Sequence, residues 1–501
     1  MIKYTDLTAG TSMLSPSVLH KSELGKAMHF PLSNLLSRRL DKSDNGFDVG
    51  TASYMTKSNY YFIKAKALQP DKFIPILDGE GAVPMNMKAF IDYKLRAGDL
   101  LISKDSNVGE CVLVPEDLNN YMPCGALYRL PIDKNKLYVF AYLKSKMFKK
   151  QLDALVPKGA TIRHAGTKFL HCLVPFPTFN KDLKIKIVEE LVQMIVSKEK
   201  KIQQNHLKIK EVILDELVRN GANPFDVEFS KTHFKELIEA NRIDASYYSR
   251  KAKYQKALIR EYEFGFNTLD QLGYKMKRGQ NLQVTNIGKS VYSNHAKPNF
   301  YTVIKPTNFT DYGTVADYEY LGNKNDLQTL RDGDIVFSAE GTVGKCVLFT
   351  NTGEKWITNI HGIVLSPNHS NISLSAYVSC ILRFYKDWGF YDHFTVGGQG
   401  GSLGKNYWED ILIPKFPDSI VEEIIQLYHS NHKAKINSEN ILNDDEAWNS
   451  SVGILELDYS IKRLKDLLEN TLQKISNDDD FDVAEVYSKI QEHYNLYHNQ
   501  K

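Results

Sequence analysis

The sequence predicts an α+β protein in which two tandem β-rich domains are separated by long antiparallel coiled-coil helices. Two observations carry this prediction: one stretch recurs about 235 residues later, and two other stretches place apolar residues at alternating spacings of three and four. With 501 residues, 42% of them hydrophobic and 25% charged, the chain has the length and ordinary composition of a soluble protein of several domains.

The repeat is clearest between residues 98–113, GDLLISKDSNVGECVL, and residues 333–348, GDIVFSAEGTVGKCVL, where eight of sixteen positions are identical. Each copy predicts a strand, a polar turn that a glycine closes, and a second strand, which together form a hairpin. Solenoid repeats have periods of about 20 to 50 residues. A period of about 235 residues therefore indicates a duplicated domain.

Further matches follow in the same order in both copies. The Gly159-Ala160-Thr161 turn corresponds to Gly400-Gly401-Ser402, and the strands LVPFP and LIPKFP each lead into a helix, beginning IVEELVQM and IVEEIIQL. These matches predict a first β-rich domain over residues 1–179, a central helix over 180–221, a second β-rich domain over 222–417, and helices with a polar tail over 418–501.

The two apolar stretches predict long helices. The first begins near Asp182 and ends at Gly221, and the second begins at Ile454. Each alone would expose an apolar stripe, so we expect an antiparallel pair within the chain, the alternative being two surface helices on separate cores. Polar runs at 437–451 and 477–480 predict helix breaks. The candidate docking residues on these helices are Ile185, Val188, Val192, Ile195, Ile202, Ile454, Leu457, Ile461, Leu464 and Leu468.

Net charge and cysteine content exclude few functional classes of protein. The net charge of +3 identifies no partner by itself, although a local basic face can still bind nucleic acid. The five cysteines form no C-x-x-C pair, so buried reduced thiols in a cytoplasmic protein are expected. No secretory signal or membrane-spanning run is visible, so no membrane partner is expected.

Three local patterns partly match known catalytic motifs. The glycine-rich stretch 397–405 lacks the Walker A pattern, because Gln399 occupies a required glycine position, and a loop that approaches a DNA phosphate is the better interpretation. Asp71, Asp92 and Lys94 have the loose spacing of a magnesium-dependent nuclease, which stays an alternative. Asn223-Pro224-Phe225 is best explained as a turn after the central helix.

The remaining polar and basic loop residues are candidates for DNA binding, with solvated surface as the alternative interpretation. Lys and Arg neutralise phosphates, whereas Arg, Gln and Asn read base edges in the major groove. The candidates are Lys104, Lys158, Thr161, Arg163, His164 and Lys168 in the first copy, and Lys275, Lys277, Arg278, Gln280, Asn359, His361, Gln399, Ser402 and Lys405 in the second.

Taken together, the duplicated hairpins, the Gly-Ala-Thr and Gly-Gly-Ser turns and the V-E-E helix starts resemble the specificity subunit of type I restriction-modification systems. The stretch RIDASYY at 242–248 is similar to the R-L-D-A-x-Y-Y opening of that family's second recognition domain. The resemblance covers nearly the whole chain. The extra helical segment and the tail to Lys501 depart from the family pattern.

The resemblance implies two target recognition domains, each of which reads one half of a bipartite site in double-stranded DNA. It implies that the helices dock two methyltransferase subunits, which bind S-adenosylmethionine and methylate a flipped adenine. Restriction or motor subunits, with ATP and Mg²⁺, would complete the complex. No cofactor, metal or catalytic residue is expected on this chain. The alternatives are a DNA-binding scaffold of another phage-defence system and a chain with its own nuclease activity.

Overall fold

The computed structural model describes residues 25–156, 164–221, 232–350, 355–395, 401–430 and 441–499, and within them helices and strands are mixed. The predicted α+β class is confirmed. The helices are α1 (Lys136–Lys144), α2 (Lys146–Leu155), α3 (Lys181–Asn220), α4 (Phe234–Ala240), α5 (Arg250–Arg260), α6 (Val284–Ile287), α7 (Ile372–Asp387), α8 (Asp418–Tyr428), α9 (Ile441–Ser451), α10 (Ile454–Ser476) and α11 (Val483–Asn499).

The strands are short, as expected for a duplicated domain built from hairpins. They are β1 (Met28–Pro31), β2 (Tyr61–Ile63), β3 (Ala82–Pro84), β4 (Leu100–Ser103), β5 (Cys111–Leu113), β6 (Tyr121–Pro123), β7 (Leu127–Leu130), β8 (Leu173–Phe176), β9 (Phe266–Asn267), β10 (Tyr274–Arg278), β11 (Ser290–Ser293), β12 (Tyr301–Ile304), β13 (Glu319–Asn323), β14 (Ile335–Ser338), β15 (Cys346–Leu348), β16 (Trp356–Thr358), β17 (Gly362–Pro367) and β18 (Ile413–Pro414).

The chain divides into two compact units. The first unit takes its described residues from Met1–Lys201, Lys433–Ser450 and Tyr459–Lys501, and the second takes them from Ile202–His432 and Ser451–Asp458. Helices α3 and α10 therefore each contribute residues to both units.

The first unit contains two three-stranded sheets. Strand β2 pairs antiparallel with β3 and parallel with β6, and β4 lies between β5 and β7 with antiparallel pairing on both sides. Ile63, Leu101, Val112 and Leu127 are fully buried in one hydrophobic core. The hairpin predicted at residues 98–113 is the β4–β5 pair.

The second unit repeats this topology. Strand β12 pairs antiparallel with β13 and parallel with β16, and β14 lies between β15 and β17. Two further strands extend the sheets, because β10 pairs with β17 and β11 pairs with β13. The shared topology explains the recurrence in the sequence, since the same strands need the same apolar residues and the same turns.

In each unit, one place where two backbone segments cross requires a glycine. A Cβ atom on Gly46 would lie 2.1 Å from the carbonyl oxygen of Cys124, and one on Gly279 would lie 2.2 Å from that of Asn359. The Gly46 amide donates to Leu127 O at 3.0 Å, and the Gly279 amide donates to Gly362 O at 2.9 Å. These two crossings hold together the loops described below as the candidate site.

The central helix α3 buries its predicted apolar seam. Ile185, Val188, Val192, Ile195 and Ile202 are all at most 5% exposed. Burial of such a stripe supplies most of the stability of a helix in a protein. The same holds for the predicted seam residues of α10, namely Ile454, Leu457, Ile461, Leu464 and Leu468.

Within the first unit, α3 runs antiparallel to α10 and its extension. Lys184 Nζ donates to Asp479 O at 3.2 Å, and farther along α3 the Glu199 carboxylate lies 2.8 Å from Lys465 Nζ. Glu199 Oε2 also accepts from the backbone amides of Phe73 and Ile74, at 2.7 and 3.1 Å. This buried carboxylate thus connects the helix pair to the loop after β2.

Within the second unit, α3 has a different partner. Asn205 Nδ2 donates to Leu427 O at 3.2 Å, and Lys208 Nζ lies 4.0 Å from Glu423 Oε1, so that α3 and α8 are antiparallel. The sequence predicted only one partner for α3, the helix that starts at Ile454. The helix start IVEEIIQL predicted α8 itself, but its 11 residues, Asp418–Tyr428, are too few to show the long apolar seam that predicts a pairing.

The predicted break at residues 437–451 is wrong where the structure describes it, because Ile441–Ser451 forms α9. Its polar residues bind a buried lysine. Lys198 Nζ donates to Asp445 Oδ1 at 2.5 Å and to Asn449 Oδ1 at 2.6 Å. Asp445 and Asn449 are one helical turn apart, so a helix presents both to the same ammonium group.

The segment called a tail also contains a helix, α11. Val483, Val486 and Ile490 repeat at helical spacing and are at most 4% exposed. Tyr487 donates a hydrogen bond from its hydroxyl to Glu190 Oε2 at 2.5 Å. The predicted break at 477–480 does separate α10 from α11.

Candidate nucleic-acid interface

In the second unit, three loops meet at one carboxylate, that of Glu340. Arg278, at the end of β10, places Nη1 at 3.2 Å from Glu340 Oε1 and donates from the same nitrogen to Ile360 O at 3.2 Å. His361 Nδ1 lies 2.6 Å from Glu340 Oε2. Hydrogen bonds from His361 and then Arg278 lower the pKa of Glu340, because both stabilise its charged form.

A fourth loop joins this cluster through the backbone. Glu340 forms a bridge pair with Ser402, and the Leu403 amide donates to Ala339 O at 3.0 Å. The side chains of Arg278, Glu340 and His361 are 61%, 35% and 52% exposed. The cluster is therefore open to a ligand and fixed by the fold. We call Arg278, Glu340, His361 and Ser402 the second loop cluster.

The first unit has a corresponding group around Asp105. Its Oδ1 lies 2.7 Å from Nδ1 of His164, and the two residues form a bridge pair. The Ala165 amide donates to Lys104 O at 2.8 Å. Lys104 Nζ donates to Asn45 Oδ1 at 2.6 Å and lies 4.6 Å from the centre of the Tyr128 ring. Asn45, Lys104, Asp105 and His164 form the first loop cluster.

Strand register relates the two clusters. Asn45 is paired with Tyr128, and Arg278 is paired with Ile363, which is 235 positions after Tyr128. Asp105 and Glu340 are also 235 positions apart, at the eighth position of each repeated segment. Each unit thus presents an acidic side chain that binds an exposed histidine, although the histidines come from different loops.

The other candidates of the second unit take separate positions. Lys275 and Lys277 lie on β10, where alternation directs them to the face opposite Arg278. The Gln280 amide donates to Thr358 O at 2.8 Å, and its Oε1 accepts from the Gln328 amide at 3.3 Å. Asn359 Oδ1 accepts from the His361 amide at 3.2 Å, so Asn359 holds the turn that carries His361.

The remaining candidates cannot be placed among the clusters. Lys168 is half-buried and begins a short 3-10 helix, Lys168–His171. The backbone of Lys405 begins another, Lys405–Asp410, but its side chain lies outside the described part of the chain. Lys158, Thr161, Arg163, Gln399 and the Asn223-Pro224-Phe225 turn also lie outside the described residues. Their roles stay predictions.

Sequence reasoning missed three residues of the clusters, Asn45, Asp105 and Glu340. Phosphate and base contacts are expected from cationic and amide side chains, so the sequence did not predict a role for the two acids. A signal was present, because both acids occupy the same place in the repeated segment. Asn45 gave no signal, since its role depends on the backbone crossing at Gly46.

The nuclease alternative finds no metal site among the described residues, where no group of three or more His, Cys, Asp and Glu side chains could hold an ion. Asp71 Oδ2 lies 3.4 Å from Lys72 Nζ. Burial would raise the pKa of Asp71, but the charges of Lys72 and Lys465 lower it. Asp92 Oδ1 accepts from the Lys94 amide at 3.1 Å, so both acids serve local contacts.

The cysteines agree with the expectation of reduced thiols. All five are free, and Cys111, Cys172, Cys346 and Cys380 are buried. Burial raises the pKa of Cys111, Cys172 and Cys346 to about 12, which disfavours the reactive thiolate. Among the described helices, none is long and apolar enough to cross a membrane.

Solved structures similar to this chain include the type I restriction-modification system S subunit from M. genitalium, at 11% identity and a TM-score of 0.38, covering 94% of this chain and 100% of that one. The HsdS subunit from Thermoanaerobacter tengcongensis matches at 12% identity and a TM-score of 0.26, covering 90% and 96%. A third similar structure, which concerns complex assembly and conformational transition of the type I R-M system, matches at 12% identity and a TM-score of 0.27, covering 91% of this chain and 98% of that one.

Two of these structures are S (HsdS) subunits of type I restriction-modification systems, and the third belongs to a type I R-M system. The resemblance drawn from the sequence names the same family. No family model matches the sequence, and no curated protein matches it at a significant level.

Proposed function

We propose that this chain is the DNA specificity subunit of a type I restriction-modification complex. Each unit would read one half of a bipartite site in double-stranded DNA through its loop cluster. The observation that carries the proposal is the duplication, on two units of the same topology, of a loop carboxylate that binds an exposed histidine. Two similar but unequal readers suit a target whose two halves differ in sequence.

The chemistry of the clusters supports base reading. Arginine, asparagine and histidine side chains offer the donors and acceptors that meet base edges, whereas phosphate contacts set position without reading sequence. Arg278 and His361 are more than half exposed, and the loops that bear them are fixed by backbone hydrogen bonds. Preorganised side chains lose little conformational entropy on binding.

The docking of two methyltransferase subunits is assigned in this proposal to exposed faces of the helices. The seam residues predicted for docking are buried within the chain, where they hold the helices together. In contrast, Leu207, Leu214 and Val218 share one face of α3 at spacings of seven and four, and they are 52%, 37% and 50% exposed. Exposed apolar stripes of this kind are typical of interaction surfaces.

Changing Leu207 and Leu214 together to lysine is expected to weaken association with the methyltransferase subunit by roughly 10- to 100-fold. Full burial of a leucine is worth about 1.5–3 kcal/mol, and roughly half of that remains to be gained at each of these partly exposed side chains. Co-expression followed by size-exclusion chromatography and calorimetry measures the loss. Asp270→Lys, at an exposed position of the second unit, is the matched control and should leave association unchanged. Undiminished association of the double variant would place the docking surface elsewhere.

The chemical step belongs, in this proposal, to the partners. S-adenosylmethionine would bind to the methyltransferase subunits, and ATP and Mg²⁺ to any restriction or motor subunits. The complex would act on cytoplasmic DNA. Mapping of methylated adenines after co-expression tests the DNA-reading role, because a specificity subunit with two readers yields two separated half-sites.

A further inference from the structure

We propose that Arg278 reads a guanine in the half-site bound by the second unit, and that Glu340 is the positioning residue that orients its guanidinium group. This inference rests on the proposed function, and it adds the base and the residue that reads it. The contacts among Arg278, Glu340 and Ile360 carry it.

The geometry leaves one edge of the guanidinium group available. Both hydrogen bonds of Arg278, to Glu340 Oε1 and to Ile360 O, use Nη1. Within the described residues, Nε and Nη2 make no hydrogen bond, and the side chain is 61% exposed. Two adjacent donors on one edge match the O6 and N7 acceptors of guanine, which is the commonest specific contact between a protein and DNA.

The charge of Glu340 favours a base over a phosphate. Its carboxylate lies beside Arg278 and also binds His361, so the approaching ligand meets an anion as well as the Arg278 cation. This carboxylate repels a phosphate, which carries a full negative charge, more strongly than a neutral guanine, whose O6 and N7 carry only partial negative charges. The lowered pKa of Glu340 agrees with its being ionised in this position.

The first unit supports a specificity role for this position. Asn45 occupies the place of Arg278 before the glycine crossing, and Lys104 donates to its Oδ1 at 2.6 Å. Its Nδ2 donates to Gly46 O at 2.9 Å. The backbone at this crossing is thus the same in both units while the side chain differs, as two readers of different half-sites require.

The test uses the full complex, co-expressed with the methyltransferase subunit, and measures methylation and binding on duplexes that carry each of the four bases at every position of the second half-site. Arg278→Ala is expected to reduce the preference for guanine at one position by on the order of 10- to 100-fold, with the first half-site unchanged. Arg278→Lys should lose most of it as well, because lysine lacks the planar fork.

Glu340 is tested by the same base preference. Glu340→Ala should reduce the preference for guanine at that position by roughly 3- to 10-fold, as expected for the loss of one hydrogen bond that orients Arg278. Glu340→Gln keeps an acceptor oxygen and should restore part of this preference. Arg260→Ala is the matched control, since Arg260 is an exposed arginine paired with Asp410 at 2.6 Å in the same unit. It should leave every base preference intact.

Other outcomes would overturn the inference. Uniformly weaker binding of Arg278→Ala to all sequences, with a shallower salt dependence, would make Arg278 a phosphate contact. Uniformly tighter binding of Glu340→Ala, with unchanged base preference, would remove the positioning role. If the wild-type complex produced no bipartite site at all, the proposed function itself would fail. A bipartite site that the Arg278 variants leave unchanged would refute only the guanine contact.

Discussion

Replacement of Lys198 by alanine is expected to lower the free energy of unfolding of the first unit by about 3–5 kcal/mol. The Lys198 side chain is 0% exposed, and its partner Asp445 is 3% exposed. The ammonium group also lies 4.4 Å from the centre of the Trp448 ring. Removing it takes from the buried Asp445 carboxylate the ammonium group that it contacts, and removal of one partner is the costly way to break such a pair. Urea unfolding, with hydrogen exchange to assign the loss to α3 and α9, measures the effect.

Two controls separate charge from packing. Lys200→Ala removes a lysine two residues away that pairs with Glu116 at 2.9 Å on the surface, and it should cost less than about 1 kcal/mol. The combined change of Lys198→Met, Asp445→Leu and Asn449→Leu replaces all three of these polar side chains by apolar ones and should recover most of the stability. A loss below about 1 kcal/mol for Lys198→Ala would show that the pair does not hold the helices.

Lengthening α3 and α10 together is expected to change the spacer between the half-sites while leaving both half-sites unchanged. The insertions are four residues between Lys201 and Ile202 and four between Asp458 and Tyr459, where both helices pass from one unit to the other. Four residues add about 6 Å of helix, close to two base pairs of DNA at about 3.4 Å each. Methylation mapping of the co-expressed complex reports the spacer directly.

Replacing Lys200 and Lys201 by alanine is the control for this experiment, because it changes the same segment without changing its length. The control should keep the wild-type spacer. An unchanged spacer in the lengthened protein would contradict the expectation that the length of α3 and α10 sets the spacer.

The sequence predicted the architecture where a pattern repeats. The β4–β5 and β14–β15 hairpins follow from the duplicated segments, and the seam on α3 follows from its three-four spacing. The sequence prediction was wrong at α9, because polar residues at 443–451 predicted a break between helices. Only a partner such as Lys198, 247 positions from Asp445, explains why Asp445 and Asn449 are buried on a helix.

The candidate sites were predictable in part. Arg278 and His361 were among the expected DNA contacts, and the structure brings them together on Glu340. Glu340 and Asp105 were not predicted, since the role of an acidic loop residue depends on the partners that the fold places beside it, here Arg278, His361 and His164. Lys275 and Lys277 looked equivalent to Arg278 in the sequence, but strand alternation places them on the opposite face.

The most direct measurement is single-molecule sequencing of methylated adenines in DNA from cells that co-express this chain with the methyltransferase subunit proposed as its partner. Two units with different loop clusters predict a split motif, with two unlike half-sites and a spacer of fixed length. A continuous motif, or two identical half-sites, would contradict the claim that each unit reads its own half of the target.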